Sequence, residues 1–374
     1  MFAEAGTMMK TRFLSMVEIG GRICERFPLI VSDNGEAVID VMRYMLCLFN
    51  EGNSYRSLET YSGHLRDFFA QLAVDGLTPS LMTVDYLNGY KEAIGKRAST
   101  QYAAQVLRTV LSFLLWMEEQ KLFRGIIGED CRCAITIKRA PGGAIQHALT
   151  KGSASPKSNH FPSDKAISVV KARGPRDCDL ADRYKLMVDW CQVKGLRAKE
   201  VCGLLLTEVP DLVTIERAIS DGRALEITLT VTKGSKPRII EVHPLLLART
   251  RTWISTARRL IVRRAGERAR VAGWVYREPS QVFLSHTGAA ALSPRAFSNS
   301  VRAAFLSAVA DGELSLADRT WAHGLRKAMI NREVRARGQK GANQREHALR
   351  HETGHGSLAS LGRYVVTEQW PDDE

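Results

Sequence analysis

A chain of 374 residues is long enough for two or three domains with sizeable cores. Its 45% hydrophobic and 25% charged residues are ordinary for a globular protein. Its longest apolar runs, such as MLCLF and LLWM, fall far short of the ~20 residues needed to cross a bilayer, which argues against a membrane role. Basic side chains outnumber acidic ones by 53 to 40, a net charge of +13, which points to a polyanion as partner.

The first segment, residues 1–35, reads as an N-terminal extension, too short to fold alone unless it packs on the rest of the chain. It holds acids and no apolar core, so no signal peptide is expected. SDNG at 32–35 reads as the start of a helix, with Ser32, Asp33 or Asn34 as its cap. Residues 36–128 carry helical periodicity. Val38, Ile39, Val41, Met42, Met45 and Leu46 form one stripe, and Leu58, Tyr61, Leu65, Phe68, Phe69 and Leu72 another. Gly76 closes the second helix. Two further helices begin at Thr83 and at Ser99 or Thr100, giving a small bundle. The aromatic residues Phe68, Phe69, Phe113 and Trp116 are expected in its core. Arg56, Lys96, Arg97 and Arg108 are expected on its surface as phosphate contacts.

Residues 129–163, rich in Gly, Pro, Ser and Lys, read as a linker. A second domain, 164–374, opens with helix, Gly195 turn and helix. LEITLTV and RIIEV alternate around Gly234-Ser235 and read as a β-hairpin. Eight arginines then fall between Arg249 and Arg270, with Trp253, Ile254 and Leu260 as the inner face. They are either a solvated basic helix or a grip on nucleic acid. A strand, a turn and a helix precede the last stretch. The fold class is therefore mainly α with a small β-sheet: a helical domain followed by an α+β domain.

The seven scattered cysteines point to reduced thiols, and Cys131-Arg132-Cys133 lacks the spacing of a metal site. His347, His351 and His355 would share a face of one continuous helix and could hold zinc. Gly354 ends that helix before His355, and no HExxH pattern is present, so no metal is expected.

The chemistry concentrates near the end of the chain. His323 and Arg326 lie three residues apart, on one face if HGLR begins a helix. Arginine is shaped to grip two phosphate oxygens, and Tyr364 offers a phenolic nucleophile. Upstream, Arg197 stands three residues from Glu200, and Lys233 sits in the hairpin turn, with Lys236 as a rival. The ordered set GLR…E, TKGSK, HGLR and GHGS…Y resembles the tyrosine recombinases of the phage-integrase family. The likeness runs from about Gly35 onward, and residues 36–128 resemble that family's SAM-like core-binding domain.

The resemblance implies a DNA recombinase that cuts and rejoins strands through a 3′-phosphotyrosine. Tyr364 would be the nucleophile. Arg197 and Arg326 would neutralise the phosphate, and His323 and His355 would donate to it or move the tyrosine proton. Lys233 would protonate the leaving 5′-oxygen, and Glu200 would orient its neighbours. No metal or other cofactor is implied. The implied partners are double-stranded DNA, a tetramer on two paired sites, and accessory DNA-bending proteins or a partner recombinase. The implied setting is DNA recombination in the cytoplasm beside the nucleoid, such as integration of a mobile element, with phage integration, transposition and resolution of replicon dimers left open. The rival readings are a type IB topoisomerase-like enzyme and a catalytically silent DNA-binding protein. The interval from Arg326 to His355 is longer than the family's usual one, and only ten residues follow Tyr364.

Overall fold

The computed structural model describes residues 9–141, 143–152, 160–232 and 236–338, the last five by their backbone. The chain divides into two compact units, Met1–Pro156 and Lys157–Glu374. Each has its own apolar core.

In the first unit, β1 (Lys10–Ile19) and β2 (Arg22–Val31) pair antiparallel. Cys24, Phe27 and Ile30 of β2 are buried in the same core as the helices. The extension is thus part of the unit, because a two-stranded hairpin needs another apolar surface to be stable. Ser32–Gly35 is a turn rather than a helix cap. The Ser32 hydroxyl donates to the Glu36 carbonyl (3.1 Å), and a bridge pairs Val31 with Ala37. Helix α1 (Ile39–Asn50) starts later, without a side-chain cap.

The other three helices follow their sequence signals closely. α2 (Tyr55–Asp75) ends at Gly76, whose φ of 64° lies in the left-handed region that glycine adopts without strain. α3 is Val84–Arg97, and α4 (Thr100–Glu119) is capped by the Ser99 hydroxyl. Phe113 stacks on Trp116 and meets Phe69 edge-on, with ring centroids 6.2 and 5.7 Å apart. The aromatic residues are core packing. Arg56, Lys96, Arg97 and Arg108 are all exposed.

The Gly- and Pro-rich stretch behaves differently from a linker over much of its length. β3 (Ile127–Gly128) and β4 (Ile135–Thr136) pair parallel, and β5 (Lys138–Arg139) and β6 (Ile145–Gln146) pair antiparallel. Ile127, Ile135, Ile137, Ile145 and Leu149 are buried in the first unit's core. Residues 129–150 are held there because alternate isoleucines need cover, whatever the polarity between them.

The second unit opens with α5 (Asp164–Ala172), capped by Ser163, and α6 (Cys178–Lys194). α7 (Ala198–Gly203) and α8 (Leu212–Ser220) lead into the hairpin of β7 (Leu225–Leu229) and β8 (Arg238–Val242). α9 (Pro244–Trp253) passes through a π-helical turn, Ile254–Arg258, into α10 (Arg259–Val271). The segment before α11 (Pro294–Ala310) forms only isolated bridges, Leu205 with Gln281 and Leu284 with Ala291. α12 is Ala322–Gly338. The fold is mainly helical with small sheets. No helix among the described residues is long and apolar enough to cross a membrane.

The arginine run divides by position. Arg249 donates to Asp189 (2.7 Å), Arg251 to the carbonyls of Val209 and Pro210, and Arg268 to the Thr287 carbonyl (2.9 Å). Arg258 is buried and spans the Gln281 and Pro279 carbonyls and Glu278. Arg259, Arg263, Arg264 and Arg270 are exposed. The buried side of the run is Trp253, Ala257, Arg258, Ile261, Ala265 and Ala269. Leu260 is half-buried, because the π turn shifts the register by which residues face inward.

Candidate active site: an arginine cluster around Glu200

Three separated segments of the second unit converge on one carboxylate. Gly195 ends α6 with φ of 62°, and the chain turns directly into α7. Arg197 is the residue before α7, and Glu200 is the third residue within it. The Glu200 carboxylate accepts from the Arg197 backbone N–H (2.8 Å) and from Arg197 Nη1 (2.7 Å). The three-residue spacing is thus a capping arrangement: the acid returns to the start of its own helix and holds the arginine there.

Two more guanidinium groups reach the same carboxylate. Arg238, the first residue of β8, donates from Nη2 to Glu200 Oε2 (2.8 Å). Arg326 of α12 brings Nη1 to 3.9 Å from that oxygen and donates to the Gly195 carbonyl (2.5 Å). Glu200 and Arg326 are fully buried, while the Arg197 side chain keeps 22% of its surface exposed. Burial works against the charged form of Glu200, but Arg238, the Arg197 N–H and side chain, and Arg326 outweigh it. Its pKa lies below the ordinary glutamate value, so the group is an anion at neutral pH. Among the described residues, three guanidinium groups thus gather on one buried carboxylate. Arg197 is the member open to solvent. Such an arrangement suits an external anion that gains negative charge as it reacts.

The HGLR segment begins α12 as its spacing predicts. His323 is exposed and Arg326 is sealed one turn further on. Gly324 has a packing reason to be glycine, since a Cβ there would lie 2.8 Å from the Trp321 ring and 2.9 Å from Pro162. Trp321 in turn stacks on His160 and carries Arg319 and Lys327 over its ring, at 5.4 and 5.9 Å. Arg332, further along α12, donates to the Gln192 carbonyl (2.6 Å) and Asp164 (2.8 Å), tying the helix to α6 and α5. These contacts fix the helix that carries His323 and Arg326.

Arg197, Glu200 and Arg326 are therefore brought together, and His323 lies on the same helix as Arg326. Lys233, His355 and Tyr364 lie outside the described residues, as do His347 and His351. Lys236 is exposed, and its carbonyl accepts from the Thr232 hydroxyl (2.5 Å). Arg238 is the member that motif reading missed. Strand alternation carries its signal: Arg238 shares a strand face with Ile240 and Val242, both buried. A cation at an inward position calls for a buried anion.

Among the described residues, no group of three or more His, Cys, Asp or Glu side chains is arranged to hold a metal ion. None of the seven cysteines is in a disulfide.

No family model matches the chain. Among curated proteins it is similar to tyrosine recombinase XerC of Mycobacterium bovis and of Mycobacterium tuberculosis. Each is 23% identical over 228 residues, which cover 61% of this chain and 67% of the relative. Among solved structures it is similar to a lambda integrase tetramer bound to a Holliday junction, with a TM-score of 0.55 and 14% identity over 90% of this chain and 79% of that one. XerH site-specific recombinase in a post-cleavage complex with a palindromic difH substrate gives a TM-score of 0.54 at 14% identity, covering 87% and 80% of the two chains. The Tn1549 transposon integrase in complex with circular intermediate DNA gives 0.53 at 12% identity, covering 87% and 95%. A shared fold and an extended sequence likeness thus converge with the motif order on a resemblance to the tyrosine recombinase/integrase family.

Proposed function

We propose that this protein is a site-specific DNA recombinase that cuts and rejoins DNA through a 3′-phosphotyrosine intermediate. The observation that carries the reading is the convergence of Arg197, Arg238 and Arg326 on a single buried carboxylate, with Arg197 open to solvent. In this scheme the Tyr364 oxygen attacks phosphorus while the bond to the 5′-oxygen breaks. Arg197 and Arg326 counter the charge that builds on the non-bridging oxygens, and His323 and His355 donate to those oxygens or take up the tyrosine proton. Lys233 gives its proton to the departing 5′-oxygen, and Glu200 holds the arginines in place. The covalent bond stores the energy of the broken phosphodiester, so rejoining needs no nucleotide. Fixed cations supply the electrostatic stabilisation, so no metal or other cofactor enters the scheme.

The partner is duplex DNA, and a complete exchange uses four protomers on two paired sites, with accessory DNA-bending proteins or a second recombinase where the site requires them. The biological setting is integration or exchange of mobile DNA in the cytoplasm. The three similar structures were solved with a Holliday junction, a difH substrate and circular intermediate DNA, which supports this choice of partner.

A covalent-trapping assay tests the reading. The protein is mixed with nicked duplexes drawn from the flanks of its own gene and denatured in detergent. Protein-linked DNA is expected with the wild type and absent with Tyr364→Phe. An adduct that survives the substitution would assign the nucleophile elsewhere. Tight binding to a defined site with no adduct would favour a silent DNA-binding protein.

Binding itself is expected to depend steeply on salt. The net charge is +13, and Arg259, Arg263, Arg264 and Arg270 stand exposed along α10. Six or more phosphate contacts would cost about 10³-fold or more in affinity between 50 and 200 mM salt. A flat titration over that range, measured by fluorescence anisotropy, would count against extensive phosphate contact.

A further inference from the structure

Helix α10 carries a ridge of cations that the fold itself does not use. Arg263, Gly266 and Arg270 follow Arg259 at i+4, i+7 and i+11, which lines the four up on one side of the helix. Ile261, Ala265 and Ala269 are buried on the opposite side. Elsewhere in the arginine run the guanidinium groups are tied down: Arg249 to Asp189, Arg251 and Arg268 to carbonyls, and Arg258 to Glu278. On the ridge, Arg259 and Arg270 have no hydrogen bond or ion pair among the described residues. Arg263 has only a long contact with Glu267 (3.8 Å), both side chains being mostly exposed.

Two features of this ridge work against the helix. Like charges at i and i+4, as at Arg259 and Arg263, repel each other. Glycine in a helix interior is a poor helix former. Gly266 has no packing reason to be glycine, since a Cβ there would meet nothing within 4 Å among the described residues. It differs in this from Gly324, whose Cβ would strike Trp321. The helix dipole favours Arg270 in the last turn of α10 but gives nothing to Arg259 or Arg263. A bare stretch of backbone between cations does favour one thing, the close approach of an anion from outside.

Resting on the DNA partner proposed above, we infer that this ridge is a second DNA site, separate from the arginine cluster around Glu200, where one strand's sugar–phosphate backbone crosses α10 at Gly266. Arg263 and Arg270, about 10 Å apart along the helix axis, hold phosphates on either side of the crossing. Gly266 is the notch that lets the strand come down to the helix backbone, and Arg259 extends the line of cations. A phosphodiester strand is a row of regularly spaced anions, which a row of arginines on one helix face matches. No hydrogen bond or ion pair among the described residues joins the ridge to Arg197, Glu200 or Arg326. The ridge therefore contributes to holding the duplex, and its signature is in affinity and salt dependence.

The test is fluorescence anisotropy of the full chain on a labelled duplex from the flanks of its own gene, titrated across salt. Arg263→Gln combined with Arg270→Gln should weaken binding about tenfold or more at 100 mM salt and lower the salt slope by roughly two units. Gly266→Ala and Gly266→Leu keep all 53 basic side chains and fill the notch. For Gly266→Leu we expect a fall of about 5- to 10-fold, the loss of roughly one phosphate contact, with a lower slope and a smaller effect for Gly266→Ala. Both should unfold at or above the wild-type midpoint, because both are better helix formers than glycine. That combination separates the ridge from a general effect of net charge and from a folding defect. Wild-type affinity and slope in the double arginine variant or in Gly266→Leu would overturn the inference, even if the oligomeric state changed, for the ridge would then face another protein. A lowered midpoint in Gly266→Leu would overturn the notch by giving the glycine a structural reason. A wild type that forms the Tyr364-dependent adduct while the ridge variants bind normally sinks the ridge alone. Ridge-dependent binding with no adduct sinks the recombinase reading and leaves the ridge standing.

Discussion

Glu200→Ala is expected to destabilise the second unit more than any other single change at the site, by about 3–5 kcal/mol, the range for breaking a buried ion pair. The cause is what the carboxylate leaves behind. Arg197, Arg238 and Arg326 are held within reach of one anion, and two of them are largely or fully withdrawn from water. Without the anion they repel one another in a region of low polarity, and solvent reaches only Arg197 readily. Equilibrium denaturation of the full chain would show the loss, and a change within about 0.5 kcal/mol would mean that the cluster rearranges around another acid.

The same carboxylate makes stability pH-dependent. Its pKa is depressed in the folded state, so its contribution is fully present above the ordinary glutamate value of 4.5. The contribution is lost as pH falls below that value and through the depressed folded pKa. Wild type and Glu200→Gln should therefore converge in stability toward strongly acidic pH and diverge as pH rises to neutral.

Much of this architecture is legible from local signals. Ser99 before an apolar-periodic run starts α4 and Gly76 stops α2, because a hydroxyl satisfies orphan N–H groups and glycine accepts the left-handed turn. Two alternating β-branched runs around a glycine turn form a hairpin. HGLR begins a helix and GLRAKE forms a cap. The features that escape sequence patterning are set by contacts between distant residues. SDNG has the composition of a helix cap, yet Ser32 satisfies a turn, since β2 occupies the chain before it. Residues 129–150 look like part of a linker by composition, but Ile135, Ile137 and Ile145 find the first unit's core. Arg238 pairs with an acid 38 residues away, a distance no local motif spans. The arginine run shows the same limit, because which guanidinium meets a carbonyl depends on distant partners such as Val209, Gln281 and Thr287.

Arg197→Ala is expected to slow adduct formation by about 10²- to 10³-fold, the loss typical of removing one preorganised charge donor from a transition state. Stability should change far less than with Glu200→Ala. Arg197 is partly solvated, and Glu200 keeps Arg238 and Arg326 as partners when it is gone. Binding should also change little, because one phosphate contact among many alters the salt slope by about one unit. The combination separates a chemical role from a structural one: a steep fall in trapping rate, a small shift in the denaturation midpoint and near-normal affinity for the same duplex.

Arg197→Lys sharpens the comparison. A lysine keeps the charge but loses the planar array of donors, one of which is held by Glu200. If charge alone mattered, the lysine variant would react almost as fast as wild type. A lysine variant nearly as slow as alanine would instead show that the Glu200-oriented guanidinium plane, and not merely a positive charge near the phosphate, is what the cluster is built to present.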